Sequence, residues 1–291
     1  MSKLNERTVL SSLHIGSWSG RSVDHEVTEE VSESHRADPK ASGHYSKQLI
    51  AVKFLKPINS KIAVARRTHR ILTLPWDDDA RILSTIGYQH YTEQMRLHRL
   101  GVDAGATEFC KNYQSFIDEA KIRLGTMYDG EDYPTSEEVR KKFWLDVEIK
   151  PVPTAGDFRA ELSDASVKAV VHDIENRSNK RLEKAMDDVF NRIIECTGKM
   201  AERLRAYEPA AGGDKAKNTF KDSLIYNIKE LADLLPALNV TGDKRLDDLQ
   251  AQLLKDLVEH SPEVLRADES KRSKTAEKAE RLFKKAQQYL S

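Results

Sequence analysis

Eight Lys or Arg residues and no Asp or Glu lie between Pro39 and Trp76, in a chain otherwise balanced at 47 basic against 47 acidic residues. Closely spaced cations without counter-charges suit phosphates, because each phosphate they neutralise releases condensed counterions. Lys53, Lys56, Lys61, Arg66, Arg67 and Arg70, with His69 among them, share a stretch of helical periodicity. Trp18 and Trp76 supply rings for base stacking, and Arg21 follows Trp18 closely. Trp18, Arg21, Lys53, Lys56, Lys61, Arg66, Arg67 and Arg70 are therefore the candidate contacts for nucleic acid or a protein partner. The opposing reading is a basic helix face neutralised by Glu29–Glu33 or by Asp77–Asp79.

Catalytic patterns fail on inspection. Thr197-Gly198-Lys199 lacks the glycine five positions before Gly198 that a phosphate loop needs, and it falls within a helical pattern. Gly16-Ser17-Trp18-Ser19-Gly20 has the outline of a nucleophile elbow, but its central residue is Trp18 and not serine. Nine scattered histidines form no His-Glu-x-x-His pair, and His90 and His98 share a helix face without a third ligand. Cys110 and Cys196 sit in apolar-periodic stretches and read as reduced core thiols. Asp77, Asp78 and Asp79 read as helix caps rather than metal ligands. The expectation is a non-enzymatic protein with no cofactor and no metal site.

Few breakers (13 Gly, 9 Pro) and 32% charged residues predict a mainly α chain whose helices have one solvated face. Leu13, Ile15 and Trp18 read as a strand, and Val23, Val27 and Val31 follow at helical spacing. Two short helices are expected, over Lys47–Leu55 and from Pro57, since proline suits a first helical position. A long helix is expected to start near Asp77–Asp79 and to reach Leu124, with Gly101 and Gly105 as weak points. Thr135 and Glu138 have capping-box spacing. Leu145, Val147 and Ile149 alternate with charged residues as in a half-buried strand, with Phe158–Leu162 as its partner. A second long helix spans Asp164–Tyr207, and three shorter helices close the chain. Both long helices repeat over eleven residues, which favours nearly straight packing.

The architecture expected is an elongated antiparallel pair of long helices with a small β-element at one tip and a C-terminal helical segment. Its divisions are an N-terminal segment over 1–76, a helical hairpin over 77–207 interrupted at about 125–163, and a helical region over 219–291. With no signal-like N-terminus and no run of about 18 apolar residues, the expected location is the cytoplasm, away from membranes.

Leu13-His14-Ile15 followed by Trp18-Ser19-Gly20-Arg21 resembles the opening signature of an uncharacterised phage and bacterial family, the domain of unknown function numbered three thousand one hundred and fifty. Leu72-Thr73-Leu74-Pro75-Trp76, Asp132-Tyr133-Pro134, Pro151-Val152-Pro153, Gly156-Asp157-Phe158-Arg159 and Leu234-Leu235-Pro236-Ala237-Leu238-Asn239 are similar to further anchors of that family. The resemblance implies a phage origin, hence a host-cell cytoplasm, and genes nearby for an AAA-type ATPase of the MoxR kind and a von Willebrand A-type protein. It carries no site residue across. The expected function is a scaffold or adaptor that self-associates into a homo-oligomer or docks on a partner such as that ATPase. The alternative is a nucleic-acid-binding protein, on single strands, that uses the basic segment at 40–70.

Overall fold

The computed structural model describes residues 2–38, 40–153, 164–210 and 215–290. In chain order α1 (Ser2–Arg7), β1 (Thr8–Gly16), β2 (Arg21–Val23), α2 (His25–Ser34) and β3 (Ser46–Gln48) precede α3 (Val52–Leu72), β4 (Leu74–Pro75) and β5 (Arg81–Ser84). Next come α4 (Thr85–Lys111), α5 (Tyr113–Leu124), α6 (Ser136–Lys142), β6 (Trp144–Pro151) and α7 (Asp164–Ala206). α8 (Ser223–Leu238), α9 (Lys244–Leu257), α10 (Pro262–Ala267) and α11 (Glu269–Gln287) complete the order. The chain is mainly α, with a small sheet of order β4-β5-β1-β6 and a two-stranded β2-β3 ribbon. Its contacts divide it into two compact units, one of Met1–Ser12, Arg70–Tyr91 and Ile149–Ser291, the other of Leu13–His69 and Thr92–Glu148. The three consecutive segments drawn from the sequence do not follow this division, because each unit gathers pieces distant in sequence.

In the first unit α7 is the longest element, at 43 residues, or about 65 Å of helix. Ala185, Val189, Ile193, Met200 and Leu204 recur at helical spacing on its buried face and share a core with Ala276, Ala279, Leu282 and Ala286 of α11. α11 is the helix α7 packs along in this unit. Small residues at this contact let the helices approach; a Cβ on Gly198 would stand 3.0 Å from the Phe283 ring. α8 and α9 add Leu231, Leu235, Leu246, Leu249, Leu253 and Leu257, each buried leucine contributing about 2 kcal/mol before chain entropy is set against it.

The segment expected to begin a helix at Asp77–Asp79 is instead the turn of a hairpin. Leu74 and Pro75 pair antiparallel with Ile82 and Arg81, and β5 pairs with β1 from Thr8↔Ser84 to Ser11↔Arg81. Asp77 Oδ1 accepts the N–H groups of Asp79 and Ala80, at 3.2 and 2.7 Å. The aspartate therefore caps a turn, its other common use. α4 starts only at Thr85, after Ser84, whose hydroxyl accepts from the Gly87 N–H. Arg192 of α7 donates to the Ile71, Arg70 and Thr73 carbonyls at 2.7, 2.8 and 2.9 Å. That places a cation at the C-terminus of α3, where the helix dipole favours it. Burial, then the nearby Arg192, lowers the pKa of Arg81, which donates to the Thr73 hydroxyl. Tyr91 is buried with its hydroxyl 2.7 Å from Ser11 Oγ, and burial pushes its pKa up to about 12.

The second unit has its own core, in which Leu55, Ile58, Ile62 and Ala65 of α3 meet Val102, Ala106, Phe109 and Tyr113. α3 is a single 21-residue helix, not two short ones. Pro57 lies in its second turn, where it forfeits one backbone bond, to the Lys53 carbonyl, and the buried stripe carries the helix through. The long stretch after the hairpin breaks at Asn112, between α4 and α5, and not at the glycines. There the Asn112 side chain donates to the Glu108 carbonyl at 2.9 Å. β6 forms as the alternation predicts, with β1 as its neighbour in the sheet; the expected partner at Phe158–Leu162 lies outside the described residues. The turn at Gly20 has φ +65°, a left-handed conformation that glycine adopts freely. Its carbonyl accepts from the Leu49 and Ile50 N–H groups.

Lys47 of β3 is buried, with Nζ 2.6 Å from Asp132 Oδ2, 3.2 Å from Asp24 Oδ2 and 3.1 Å from the Met127 carbonyl it donates to. Desolvation alone would lower its pKa; the two carboxylates outweigh that and raise it. The Val27 N–H, opposed by desolvation and assisted by Lys47, holds the Asp24 carboxyl below its ordinary value. A depressed carboxyl adds stability above its unfolded pKa, about 3.9, and that contribution is lost as pH falls through the lower folded value. Asp24→Asn is therefore expected to flatten the acid limb of a stability–pH profile below about pH 4. Lys47→Met, which leaves two carboxylates without their cation, is expected to cost about 3 kcal/mol in urea denaturation.

Candidate functional site

Burial of Leu55, Ile58, Ile62, Ala65 and His69 at intervals of three or four leaves the rest of the α3 circumference to solvent. The helix carries Lys53, Lys56, Lys61, Arg66, Arg67 and Arg70, all exposed, and no acid. At about 100° per residue, Lys53, Lys56 and Arg67 fall on the outermost stripe, with Lys61 and Arg66 on opposite flanks. Lys53 Nζ is 3.7 Å from Glu119 Oε1. Among the described residues Lys56, Lys61, Arg66 and Arg67 have no ion pair. The acids expected to neutralise them do not: Asp77 pairs with Arg181 at 3.8 Å in the first unit, and no ion pair joins α3 to Glu29 or Glu33.

Of the other sequence candidates only Arg70 shares α3 with these cations. Arg70 lies on the last turn of α3, in the first unit. Arg21 is exposed on β2, opposite Gln48 of β3. The stacking role expected for Trp18 and Trp76 needs correction, since both rings are buried. Trp18 lies edge-on to Phe109 and Tyr113, with centroids 6.4 and 5.9 Å away. An indole so placed gains more from the core than it could from a surface.

Beside the cationic face, the second unit has a groove of about 560 Å³ between α3 and the α4–α5 segment. Phe54, Pro57, Ile58, Gly105, Phe109 and Phe116 supply its apolar lining, and Lys53, Lys61, Glu108 and Asn112 its polar groups. Phe54 and Phe116 stack with centroids 4.1 Å apart and planes at 16°, and Lys53 Nζ lies 4.7 Å over the Phe54 ring. Sequence reasoning missed this groove. Phe54 and Phe116 are distant in sequence, and Gly105 registers there only as a helix weakness.

A second aromatic and basic surface holds Trp144, 48% exposed, with Arg99, Arg140 and Lys141. Its cations are matched, Arg99 by Asp146 at 3.4 Å, Lys141 by Glu137 at 2.9 Å and Arg140 by Asp103. It therefore presents little net charge, unlike α3. Among the described residues no group of three His, Cys, Asp or Glu is placed to hold a metal ion. Thr197, Gly198 and Lys199 lie inside α7, with the Thr197 hydroxyl donating to the Ile193 carbonyl. Burial raises the Cys196 thiol pKa and lowers that of His98, whose Nε2 is 2.9 Å from Thr68 Oγ1. No described helix is long and apolar enough to cross a membrane.

Comparison of the chain with protein-family models, curated proteins and solved structures yields no match. Because Lys56 and Arg67 have no ion pair among the described residues, Lys56→Glu/Arg67→Glu is expected to leave unfolding free energy within about 0.5 kcal/mol of the parent. Trp18→Ala is expected to lower it by about 3 kcal/mol or more in the same urea titration.

Proposed function

We propose that the protein binds nucleic acid, and that the exposed face of α3 holds its phosphate backbone. The observation that supports this reading is the set of four cations, Lys56, Lys61, Arg66 and Arg67, that have no ion pair among the described residues, on a helix without a single carboxylate. Keeping like charges together costs self-repulsion that dispersed charges would avoid, and a polyanion relieves it. Such a surface positions a phosphate chain without reading its sequence.

Fluorescence anisotropy of labelled oligonucleotides across a salt series tests the proposal. Affinity is expected to fall linearly on logarithmic axes, by about 0.7 to 0.9 in slope for each phosphate neutralised. Lys56→Ala/Arg67→Ala is expected to remove about two contacts' worth of that slope, and Arg66→Glu/Arg67→Glu to abolish most binding at moderate salt. Undiminished binding by the charge-reversed protein would refute the α3 assignment and point to the basic cleft of Lys199, Arg203 and Lys221 in the first unit.

A second reading is a helical scaffold or adaptor that self-associates or docks on a protein such as an AAA-type ATPase, the partner the family resemblance implies. It is supported by Leu97 and Leu100, 47% and 54% exposed and one turn apart on α4, since neighbouring exposed leucines favour protein contact. On this reading light scattering gives a mass above that of one chain, which Leu97→Glu/Leu100→Glu returns to the monomer value. A monomer at high concentration, with no protein retained on an affinity column, would remove it.

A further inference from the structure

We infer that the groove beside the cationic face of α3 is a pocket for an unpaired base, so that the nucleic acid held there is single-stranded. This rests on the proposal that α3 binds a phosphate backbone and adds to it the class of strand. A duplex keeps its bases stacked inside and offers this surface only phosphates, for which a helix face suffices. The groove supplies what a duplex cannot use. Phe54, Phe116 and Phe109 line it with aromatic surface, and base–aromatic stacking accepts every base because each has a π-face. Its volume of about 560 Å³ lies within the range of small-ligand pockets.

Charge complementarity selects the occupant. Lys53 and Lys61 bracket the groove from α3, eight residues and therefore about 12 Å apart along the helix. A base inserted between them leaves one flanking phosphate beside Lys61, which has no ion pair among the described residues, and the other beside Lys53, where it displaces Glu119 at 3.7 Å; Lys56 and Arg67 continue the track on the same helix. At the α4 end, Asn112 Nδ2 donates to the Glu108 carbonyl and to Glu108 Oε1, at 2.9 and 3.0 Å. The amide oxygen is left to accept from a base edge. An apolar peptide side chain would use the rings but not the bracketing lysines.

Gly105 keeps the groove open. A Cβ there would stand 3.1 Å from Lys61 Cδ and 3.6 Å from Ile58 Cγ1, so any larger side chain at 105 intrudes on the space beneath Lys61. A glycine in a helix interior costs stability that alanine would restore; a methyl group meets only the flexible Lys61 side chain and Ile58, whereas a longer side chain fills the groove.

The test compares three labelled probes on the full chain by anisotropy at one salt concentration: a thymidine oligonucleotide, an abasic strand of the same phosphate count, and a duplex of that length. The thymidine strand is expected to bind about tenfold more tightly than the abasic strand, from one stacked base. Gly105→Leu, which fills the groove, is expected to bring the thymidine strand down to the abasic level. Phe54→Leu, which keeps apolar volume but removes a ring, provides a second route to the same loss should the first variant fold poorly. Gly105→Ala controls for helix propensity and is expected to keep most of the preference. Equal binding of thymidine and abasic strands, or duplex binding as tight as the thymidine strand, overturns the base pocket while leaving phosphate binding by α3 intact. A salt-independent failure of all three probes to bind overturns both.

Discussion

Burying Leu55, Ile58, Ile62 and Ala65 fixes the rotation of α3 about its axis, and that rotation decides where its charges point. Once those four side chains join Val102, Ala106, Phe109 and Tyr113 in the core, every lysine and arginine of the helix must face water. With no carboxylate on the helix, neutralisation depends on neighbouring elements, and among the described residues only Glu119 forms an ion pair with its lysines and arginines. The packing that stabilises the unit therefore also creates its unbalanced field. The same contact between α3 and the α4–α5 segment shapes the groove, so charge and cavity share one origin.

Polar groups hold the connections that hydrophobic periodicity leaves unspecified. In the second unit one buried ammonium, Lys47, ties the turn before α2 to the short turn at Asp132. In the first, Arg192 closes the end of α3 through three carbonyls, and Arg81 reaches the same turn. Buried cations are costly unless every donor finds an acceptor, and here the acceptors are carboxylates and helix-terminal carbonyls. Both devices put charge to structural use, in contrast with the α3 cations that have no such partner.

The periodic elements were legible in the sequence. The expected span Asp164–Tyr207 matches α7 to within one residue, and the leucine ladder of α9 and the alternation of β6 read correctly. What failed was local chemistry with two meanings. Aspartates cap turns as readily as helices, and Asp77 caps a turn because Leu74 and Ile82 pair as strands. Proline begins helices, yet Pro57 sits inside one because the buried stripe on both sides outweighs a single lost hydrogen bond. Trp18 reads equally well as platform or core, and only the rings of Phe109 and Tyr113 around it decide for core. The face of α3 was legible as a charge run, but its groove was not, because Phe54, Gly105 and Phe116 meet only through tertiary packing.

The interleaving of the two units along the chain has a consequence for how such a protein can change over generations. A module encoded in one uninterrupted stretch can be lost, duplicated or traded by a single recombination. Here the second unit is encoded in two stretches and the first in three, so no single exchange of contiguous sequence can replace one whole unit without taking part of the other. The pair is inherited together or not at all, and its surfaces must diversify by point substitution.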